Sequence, residues 1–161
     1  MPMNEILIEG RALEGRGGHE VGWELLTELY ARMTGEALPE IRVTDRGKPF
    51  FADSPLCFSI THTDRHAFCA LAQGPVGIDA EEMDRAIRPR LAGKILSPGE
   101  LAHYEAAGDK RAALLRLWVL KEASVKLTGE GLRGYPNHTD FSPDDPRIRE
   151  LMGCYVAVLT G

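Results

Sequence analysis

Residues 118–126 read Trp-Val-Leu-Lys-Glu-Ala-Ser-Val-Lys, and they lie in the longest helix that the sequence predicts, from about residue 110 to residue 128. At roughly 100° per residue, Glu122 and Lys126 share one face with Trp118. The opposite face is largely apolar too, so the helix is expected to be covered on both sides. A buried carboxylate is costly unless it meets a cation. Glu122 therefore either pairs with Lys126 one turn away or binds a metal ion together with acidic groups from elsewhere in the chain.

Short apolar or alternating runs precede this helix, separated by Gly, Pro, Asp and Ser, and they predict antiparallel strands joined by turns. These runs cover residues 6–8, 50–51, 56–60, 67–72 and 76–79. Residues 21–33 have helical spacing that ends at Gly35, and the chain from 84 to 129 is predicted to be helical, with a good helix start at Ser97-Pro98-Gly99-Glu100. Residues 152–159 suit a closing strand. Together these elements predict an α+β fold with a mostly antiparallel sheet.

Two short segments resemble each other, Met-Thr-Gly-Glu-Ala-Leu at 33–38 and Leu-Thr-Gly-Glu-Gly-Leu at 127–132. Each lies at the end of a predicted helix, and the likeness is consistent with two related halves. It also arises by chance, because helices often stop at a glycine, which tolerates the left-handed backbone. Both interpretations stay open at this point.

An acidic pair begins at the last residue of the predicted strand at 76–79. In extended chain, residues two apart point to the same side, so Asp79 and Glu81 are expected to share one face. Carboxylate oxygens are ligands that magnesium favours. The alternative is the acidic start of a helix, because Glu82 and Asp84 extend the cluster and negative charge is favourable there.

Two further segments carry groups that can bind an anion. Residues 58–63 read Phe-Ser-Ile-Thr-His-Thr, so a strand ends in Thr61 and His62, which can donate hydrogen bonds to a phosphate. In Gly47-Lys48-Pro49 the proline biases Lys48 toward extended geometry. Taken alone, the first segment is equally typical of a surface histidine and the second of a common turn.

The composition excludes several classes of protein. A net charge of −5 argues against general nucleic-acid binding, which draws on a basic surface. No apolar run approaches the roughly 20 residues of a membrane span, and the first five residues lack the basic flank of a signal peptide, so we expect a cytoplasmic location and no membrane partner. The cysteines at 57, 69 and 154 are expected to be reduced core residues, and no chemistry is assigned to them.

Four segments in order resemble the motifs of the 4′-phosphopantetheinyl transferases of the surfactin-synthetase (Sfp) type. They are Gly47-Lys48-Pro49, residues 58–63, Gly77-Ile78-Asp79-Ala80-Glu81 and residues 118–126; Ile-Leu-Ser-Pro-Gly-Glu at 95–100 also looks like the family's intervening segment. The resemblance is to a short member, because family members are usually longer both before Gly47 and after Glu122. The N-terminal portion would normally help to hold the adenosine 3′-phosphate. The His segment carries threonine on both sides of His62 where relatives typically carry serine, so the hydroxyl donors are retained.

The resemblance implies a 4′-phosphopantetheinyl transferase-like α+β fold of two similar halves that meet at the active site. The N-terminal half, residues 1–75, would contain the Gly-Lys-Pro and His segments. The C-terminal half, residues 76–161, would contain the acidic motif and the helix with Glu122.

The resemblance also implies an activity: transfer of the 4′-phosphopantetheine group of coenzyme A to a serine of an apo acyl or peptidyl carrier protein, with release of 3′,5′-ADP. By analogy, Asp79, Glu81 and Glu122 would bind Mg²⁺. Coenzyme A would be contacted by a set of donors and cations, namely Lys48, Thr61, His62 and Lys126. Asp79, Glu122 and Lys126 would be catalytic.

Carrier proteins are typically acidic, and a basic run lies directly after the acidic motif. It consists of Arg85, Arg88, Arg90 and Lys94. This run is the expected docking surface; the alternative is an ordinary solvated helix face.

Two rival functions stay open. One is a magnesium-dependent pyrophosphate hydrolase acting on a nucleotide. The other is a non-catalytic module that binds coenzyme A or a carrier protein.

Overall fold

The computed structural model describes residues 5–129 and 140–161. In chain order the elements are β1 (Ile6–Ala12), α1 (Gly18–Thr34), β2 (Ile41–Val43), β3 (Pro49–Phe51), β4 (Cys57–His62), β5 (His66–Ala72), β6 (Val76–Glu82), a 3₁₀ turn (Pro89–Leu91), α2 (Ala92–Ile95), α3 (Pro98–Ala106), α4 (Lys110–Thr128), β7 (Ile148–Leu151) and β8 (Cys154–Thr160). The strand pairs in this part of the chain are all antiparallel. The predicted α+β class is confirmed.

Within residues 5–129 and 140–161, the strands form two three-stranded sheets and one small hairpin. The first sheet has the order β1-β5-β4, the second β6-β8-β7, and β2 pairs with β3. The two larger sheets lie on either side of Pro75 in the sequence. The division into domains at 1–75 and 76–161 stays a prediction.

Side-chain alternation in the strands builds a layered core. In β5, Ala67, Cys69 and Leu71 pack with α1, whereas Phe68 and Ala70 pack with the second sheet. In β8, the same alternation sends one set of side chains toward α4 and the other toward the first sheet. The order of layers is therefore α1, first sheet, second sheet and α4.

A glycine brings α4 close to the second sheet. A Cβ atom on Gly77 of β6 would lie 2.1 Å from the carbonyl oxygen of Ala123 and 2.5 Å from the backbone nitrogen of Leu127. No side chain fits that space, so the backbones of α4 and β6 are in direct contact. This contact carries Lys126 to the side of Asp79.

The helix ends follow the capping signals in the sequence. Ser97 and Glu100 form the capping box expected at the start of α3. Both α1 and α4 end at a Thr-Gly pair, with Gly35 at φ 76° and Gly129 at φ 72°. The similar ends account for part of the sequence echo; its residues 130–132 lie outside the described residues.

The prediction of helix from residue 84 onward is wrong for its first residues. Residues 85–88 are irregular, and Arg88 has an extended backbone with φ −75° and ψ 125°. Pro89 follows Arg88, and the residue before a proline is disfavoured in the helical region. The helical part of the second half thus begins at Pro89.

Among the described residues, the helices are either too short or too polar to cross a membrane.

Candidate active site

Asp79 lies on the face of β6 that α4 covers, and it is only 7% exposed. Its Oδ1 accepts a hydrogen bond from the Thr61 hydroxyl at 3.1 Å and lies 3.4 Å from the Lys126 Nζ. Its Oδ2 is buried and has no hydrogen-bond partner among the described residues. A buried carboxylate oxygen without a partner is costly, and a cation is the ligand that removes the cost.

Glu81 lies two residues further along β6, on the same side as Asp79. Its Oε1 accepts hydrogen bonds from the Trp118 indole at 3.1 Å and from the Arg85 guanidinium. The Trp118 bond joins the acidic strand directly to α4. The acidic motif at residues 77–81 and the helical motif at residues 118–126 are thus in direct contact.

The electrostatics of Asp79 and Glu122 are coupled. Burial raises the pKa of Asp79 to about 7; Lys126 opposes the shift, and the charges of Glu81 and Glu122 reinforce it. Burial also raises the pKa of Glu122, again opposed by Lys126 and reinforced by Glu81. The three carboxylates therefore repel one another while Lys126 partly neutralises them.

The three carboxylates fit a magnesium ion in donor chemistry. All are oxygen donors, and Asp79 Oδ2 is buried without a partner among the residues described. Oxygens of the three carboxylates do not all lie within 4.8 Å of one another. Asp79 bonds to Thr61 and lies beside Lys126. Glu81 instead bonds to Trp118 and Arg85. Their assignment as metal ligands stays a prediction.

A cleft of about 340 Å³ lies beside Lys126, and Lys48 and His62 also line it. The Lys48 ammonium donates a hydrogen bond to the carbonyl oxygen of Leu127 at 2.8 Å, and burial lowers the pKa of Lys48. His62 is exposed and also lines a neighbouring cavity that Glu81 lines. The structure thus brings the three predicted nitrogen groups to one cleft next to the acidic strand.

Thr61 is placed differently from the other predicted contacts to coenzyme A. It is 5% exposed, its hydroxyl donates to Asp79, and it does not line the cleft. Ser59, two residues earlier on β4, also bonds to β6, because its hydroxyl accepts a hydrogen bond from the backbone N–H of Ile78. In this geometry Thr61 orients Asp79.

Sequence reasoning missed two residues of the site. Trp118 entered only as part of an apolar face, although a buried indole N–H usually finds an acceptor and could have been matched to an acidic group. Trp23 of α1 lines the cleft with the predicted residues, and its indole bonds to His19. No local signal marks Trp23, because its position depends on the packing of α1 on the first sheet.

All four residues of the basic run are exposed, and one of them is paired. Arg85 forms an ion pair with Glu81. Arg88, Arg90 and Lys94 are exposed. Only these three are presented to a partner without first breaking a contact to the acidic strand.

Comparison with known proteins identifies the class. Residues 75–153 match the family model of the 4′-phosphopantetheinyl transferase superfamily. The matched segment contains the acidic strand and all of α4. Residues 75–153 are thus similar to that superfamily.

The curated relatives are transferases by name. The 4′-phosphopantetheinyl transferase AcpT of Salmonella typhi is 42% identical over 101 residues, which are 57% of this chain and 50% of that protein. The 4′-phosphopantetheinyl transferase Sfp of Bacillus subtilis (strain 168) is 33% identical over 89 residues, which are 53% of this chain and 39% of that protein. The 4′-phosphopantetheinyl transferase gsp of Aneurinibacillus migulanus is 31% identical over 93 residues, which are 56% of this chain and 38% of that protein.

These matches confirm the resemblance to the Sfp type that the motifs predicted, and they give no support to the hydrolase or to the non-catalytic binding module. The chain spans about half the length, or less, of the curated relatives that it matches.

Proposed function

We propose that this chain transfers the 4′-phosphopantetheine group of coenzyme A to a serine of an apo acyl or peptidyl carrier protein and releases 3′,5′-ADP. The observation that carries the proposal is the contact between Asp79 and Lys126 beside a cleft lined by Lys48 and His62. Positive groups that bind phosphates thereby meet acidic groups that can hold a metal. The names of the relatives support the same reaction.

Asp79, Glu81 and Glu122 are the proposed magnesium ligands. When bound, Mg²⁺ supplies positive charge to the pyrophosphate of coenzyme A and so lowers its repulsion of an incoming oxygen. Thr61 and Trp118 position two of these carboxylates through the hydrogen bonds to Asp79 and Glu81.

The cationic side of the cleft receives the phosphates. His62 and Lys48 supply donors and positive charge for coenzyme A, and Lys48 exchanges its bond to the Leu127 carbonyl for one to a phosphate oxygen. Lys126 lies between this side and Asp79. Its ammonium is therefore placed to stabilise the phosphate that leaves with 3′,5′-ADP.

The transfer is a displacement at the phosphorus nearest the pantetheine arm. The serine hydroxyl oxygen forms the new bond to that phosphorus, and the bond to the bridging oxygen breaks, so that 3′,5′-ADP departs with the electron pair. The serine proton goes to Glu122 or to a water that it holds. Burial raises the pKa of Glu122, which makes this carboxylate a better proton acceptor than an exposed one.

The proposed docking surface for the acidic carrier is the exposed run Arg88, Arg90 and Lys94, with Arg85 at its edge. The run follows β6 directly, so a carrier bound there would place its serine near the acidic strand. A cytoplasmic location for the reaction stays a prediction.

The decisive experiment incubates the chain with coenzyme A, Mg²⁺ and an apo-carrier protein and measures the intact mass of the carrier. We expect a gain of one phosphopantetheine group, lost in Glu122→Gln and retained in Glu105→Gln, an exposed glutamate of α3 that serves as the matched control. Release of free phosphopantetheine without a mass gain would contradict the proposal. Normal turnover by Glu122→Gln would contradict the assignment of that residue.

A further inference from the structure

A second polar cluster lies on the face of β6 opposite Asp79 and Glu81. It combines His66 at the start of β5, Glu82 at the end of β6 and Cys154 at the start of β8. His66 Nδ1 lies 2.8 Å from Glu82 Oε2, Cys154 Sγ lies 3.2 Å from the same oxygen, and Sγ and Nδ1 are 3.6 Å apart. The proposed transfer reaction uses none of these three groups.

The cluster has the donor set and the spacing of a metal site. Nitrogen, oxygen and sulfur donors together are typical of zinc, which binds them in tetrahedral geometry. Bond lengths of about 2.0 to 2.3 Å at the tetrahedral angle separate the donors by about 3.3 to 3.6 Å. The distance between Sγ and Nδ1 already has that value, and the other two reach it if Glu82 Oε2 withdraws by about half an ångström.

The surroundings of Glu82 support a site rather than a chance contact. Its Oε1 forms an ion pair with Arg65 at 2.9 Å, and its Oε2 also accepts from the Thr63 hydroxyl. Such outer contacts orient a ligating carboxylate. A cavity of about 630 Å³ is lined by Glu82, Thr63 and Arg65, so solvent reaches the Glu82 side of the cluster, whereas Cys154 is fully buried behind it.

We propose that His66, Glu82 and Cys154 bind a borderline-soft divalent cation, best matched by Zn²⁺, at a site separate from the proposed magnesium ligands. The thiol proton of Cys154 is released to solvent when the ion binds, and the resulting thiolate and the carboxylate balance its charge. The fourth position is left for water. His66 belongs to the first sheet, whereas Glu82 and Cys154 are direct partners in the second, so the ion ties the two sheets together.

Cobalt substitution tests the site directly, because Co²⁺ bound to a thiolate has a charge-transfer absorption band that oxygen ligands alone do not give. Co²⁺ is titrated into the reduced full chain without chelator. We expect the band to saturate at one equivalent, to be absent in Cys154→Ser and to persist in Cys57→Ser. Cys57 is the matched control because it pairs with Ala72 at the far end of the β4–β5 hairpin. The band should also persist in Glu122→Gln, since that carboxylate belongs to the other site.

A second variant keeps the test decisive if Cys154→Ser fails to fold. His66→Gln retains the thiol and should weaken Zn²⁺ binding, measured by competition with a chelator, by at least about tenfold, because even outer partners of a metal ligand contribute 10- to 100-fold. Zn²⁺ should raise the unfolding midpoint of the unsubstituted chain and raise that of His66→Gln less. A thiolate band that is absent from the unsubstituted chain, or that survives in Cys154→Ser, would overturn the proposal and leave the cluster a hydrogen-bond network. Unchanged Zn²⁺ affinity in His66→Gln would overturn it as well.

Discussion

At the scale of single residues, Asp79 couples the fold to pH. Burial raises its pKa from 3.8 to about 7, so between these values the folded chain holds a proton that the unfolded chain has released. The free energy of unfolding of the metal-free chain should therefore fall as the pH rises from about 4 to about 7 and then level off. Burial also raises the pKa of Glu122, so this residue contributes to the pH dependence of stability in the same direction.

Asp79→Asn should remove most of this pH dependence. We expect the substituted chain to lose less stability than the unsubstituted chain between pH 5 and pH 8. The difference is as much as about 3 kcal/mol, because about two units of the pKa shift lie in this interval and one pKa unit is worth about 1.4 kcal/mol. Urea unfolding in the presence of a chelator at several pH values measures it. Asp53→Asn, at an exposed position, is the control. Parallel pH profiles for Asp79→Asn and the unsubstituted chain would show that Asp79 ionises normally.

Substitutions of Lys126 and His62 should have different effects, one mainly on kcat and the other mainly on coenzyme A binding. Lys126→Ala removes the cation beside the leaving phosphate, and we expect kcat to fall by about 100-fold or more with a smaller change in coenzyme A affinity, as when a donor to developing charge is lost. His62→Ala should mainly weaken coenzyme A binding. Steady-state kinetics with calorimetric titration of coenzyme A distinguishes the two. A loss confined to binding in Lys126→Ala would reassign Lys126 to ground-state contact, and unchanged affinity in His62→Ala would leave His62 a surface residue.

Spacing in the sequence predicts which candidate residues share a face, but it does not predict which groups they contact. The same-side placement of Asp79 and Glu81 follows from strand geometry, so it could be derived from spacing alone. The hydrogen bond from Thr61 to Asp79 could not, because it depends on β4 lying beside β6, and those strands are not paired by backbone hydrogen bonds. Lys48 shows the same limit, since its contact with Leu127 joins residues far apart in the chain.

At the scale of elements, the contact between α4 and β6 depends on Gly77. Gly77→Ala would place a methyl group 2.1 Å from the carbonyl oxygen of Ala123, so the helix must move away from the strand. We expect a loss of about 1 to 3 kcal/mol in the free energy of unfolding, typical of an overpacked core, and a fall in transfer rate because Lys126 moves with α4.

Gly74→Ala is the matched control for this effect, since a Cβ atom there meets nothing within 4 Å. Urea unfolding and the carrier mass assay are run on both variants. Equal stability of the two alanine variants would show that α4 can shift at no cost. Full activity in a clearly destabilised Gly77→Ala would show that the helix position matters only for the fold.

Elements with local signals were predicted, and those without them were not. The N-terminal cap of α3 and the glycines that end α1 and α4 depend on only a few adjacent residues. Strand β2 has only three residues, of which two are exposed, and was not predicted. Strand β2 forms because it pairs with β3, and the pattern of residues within β2 does not indicate that partner.

At the scale of the whole molecule, the order of strands depends on contacts between distant segments. β8 comes from the end of the described chain and lies between β6 and β7, so it completes the sheet that carries Asp79 and Glu81. The apolar residues of 152–159 predict a strand but not its neighbours. The class of fold could therefore be predicted from pattern, whereas the two separate sheets and their packing could not.

The charge distribution of the whole molecule leads to a prediction about carrier docking. Arg88, Arg90 and Lys94 are exposed in the segment that follows the acidic strand, in a chain whose net charge is −5. Attraction between this run and an acidic carrier should weaken with salt, because the screening length falls from about 10 Å at 0.1 M to about 3 Å at 1 M. We expect the apparent KM for the carrier to rise with salt, and to rise further in Arg88→Glu and Arg90→Glu, alone and combined, while the KM for coenzyme A changes little. Arg149→Glu, on β7, alters the net charge as much as either single reversal and should leave both KM values near normal. If the KM values for carrier and coenzyme A rose equally, the arginines would serve coenzyme A or the fold. If Arg149→Glu raised the KM for the carrier as much as the reversals at Arg88 and Arg90, net charge rather than a defined docking surface would determine the encounter with the carrier.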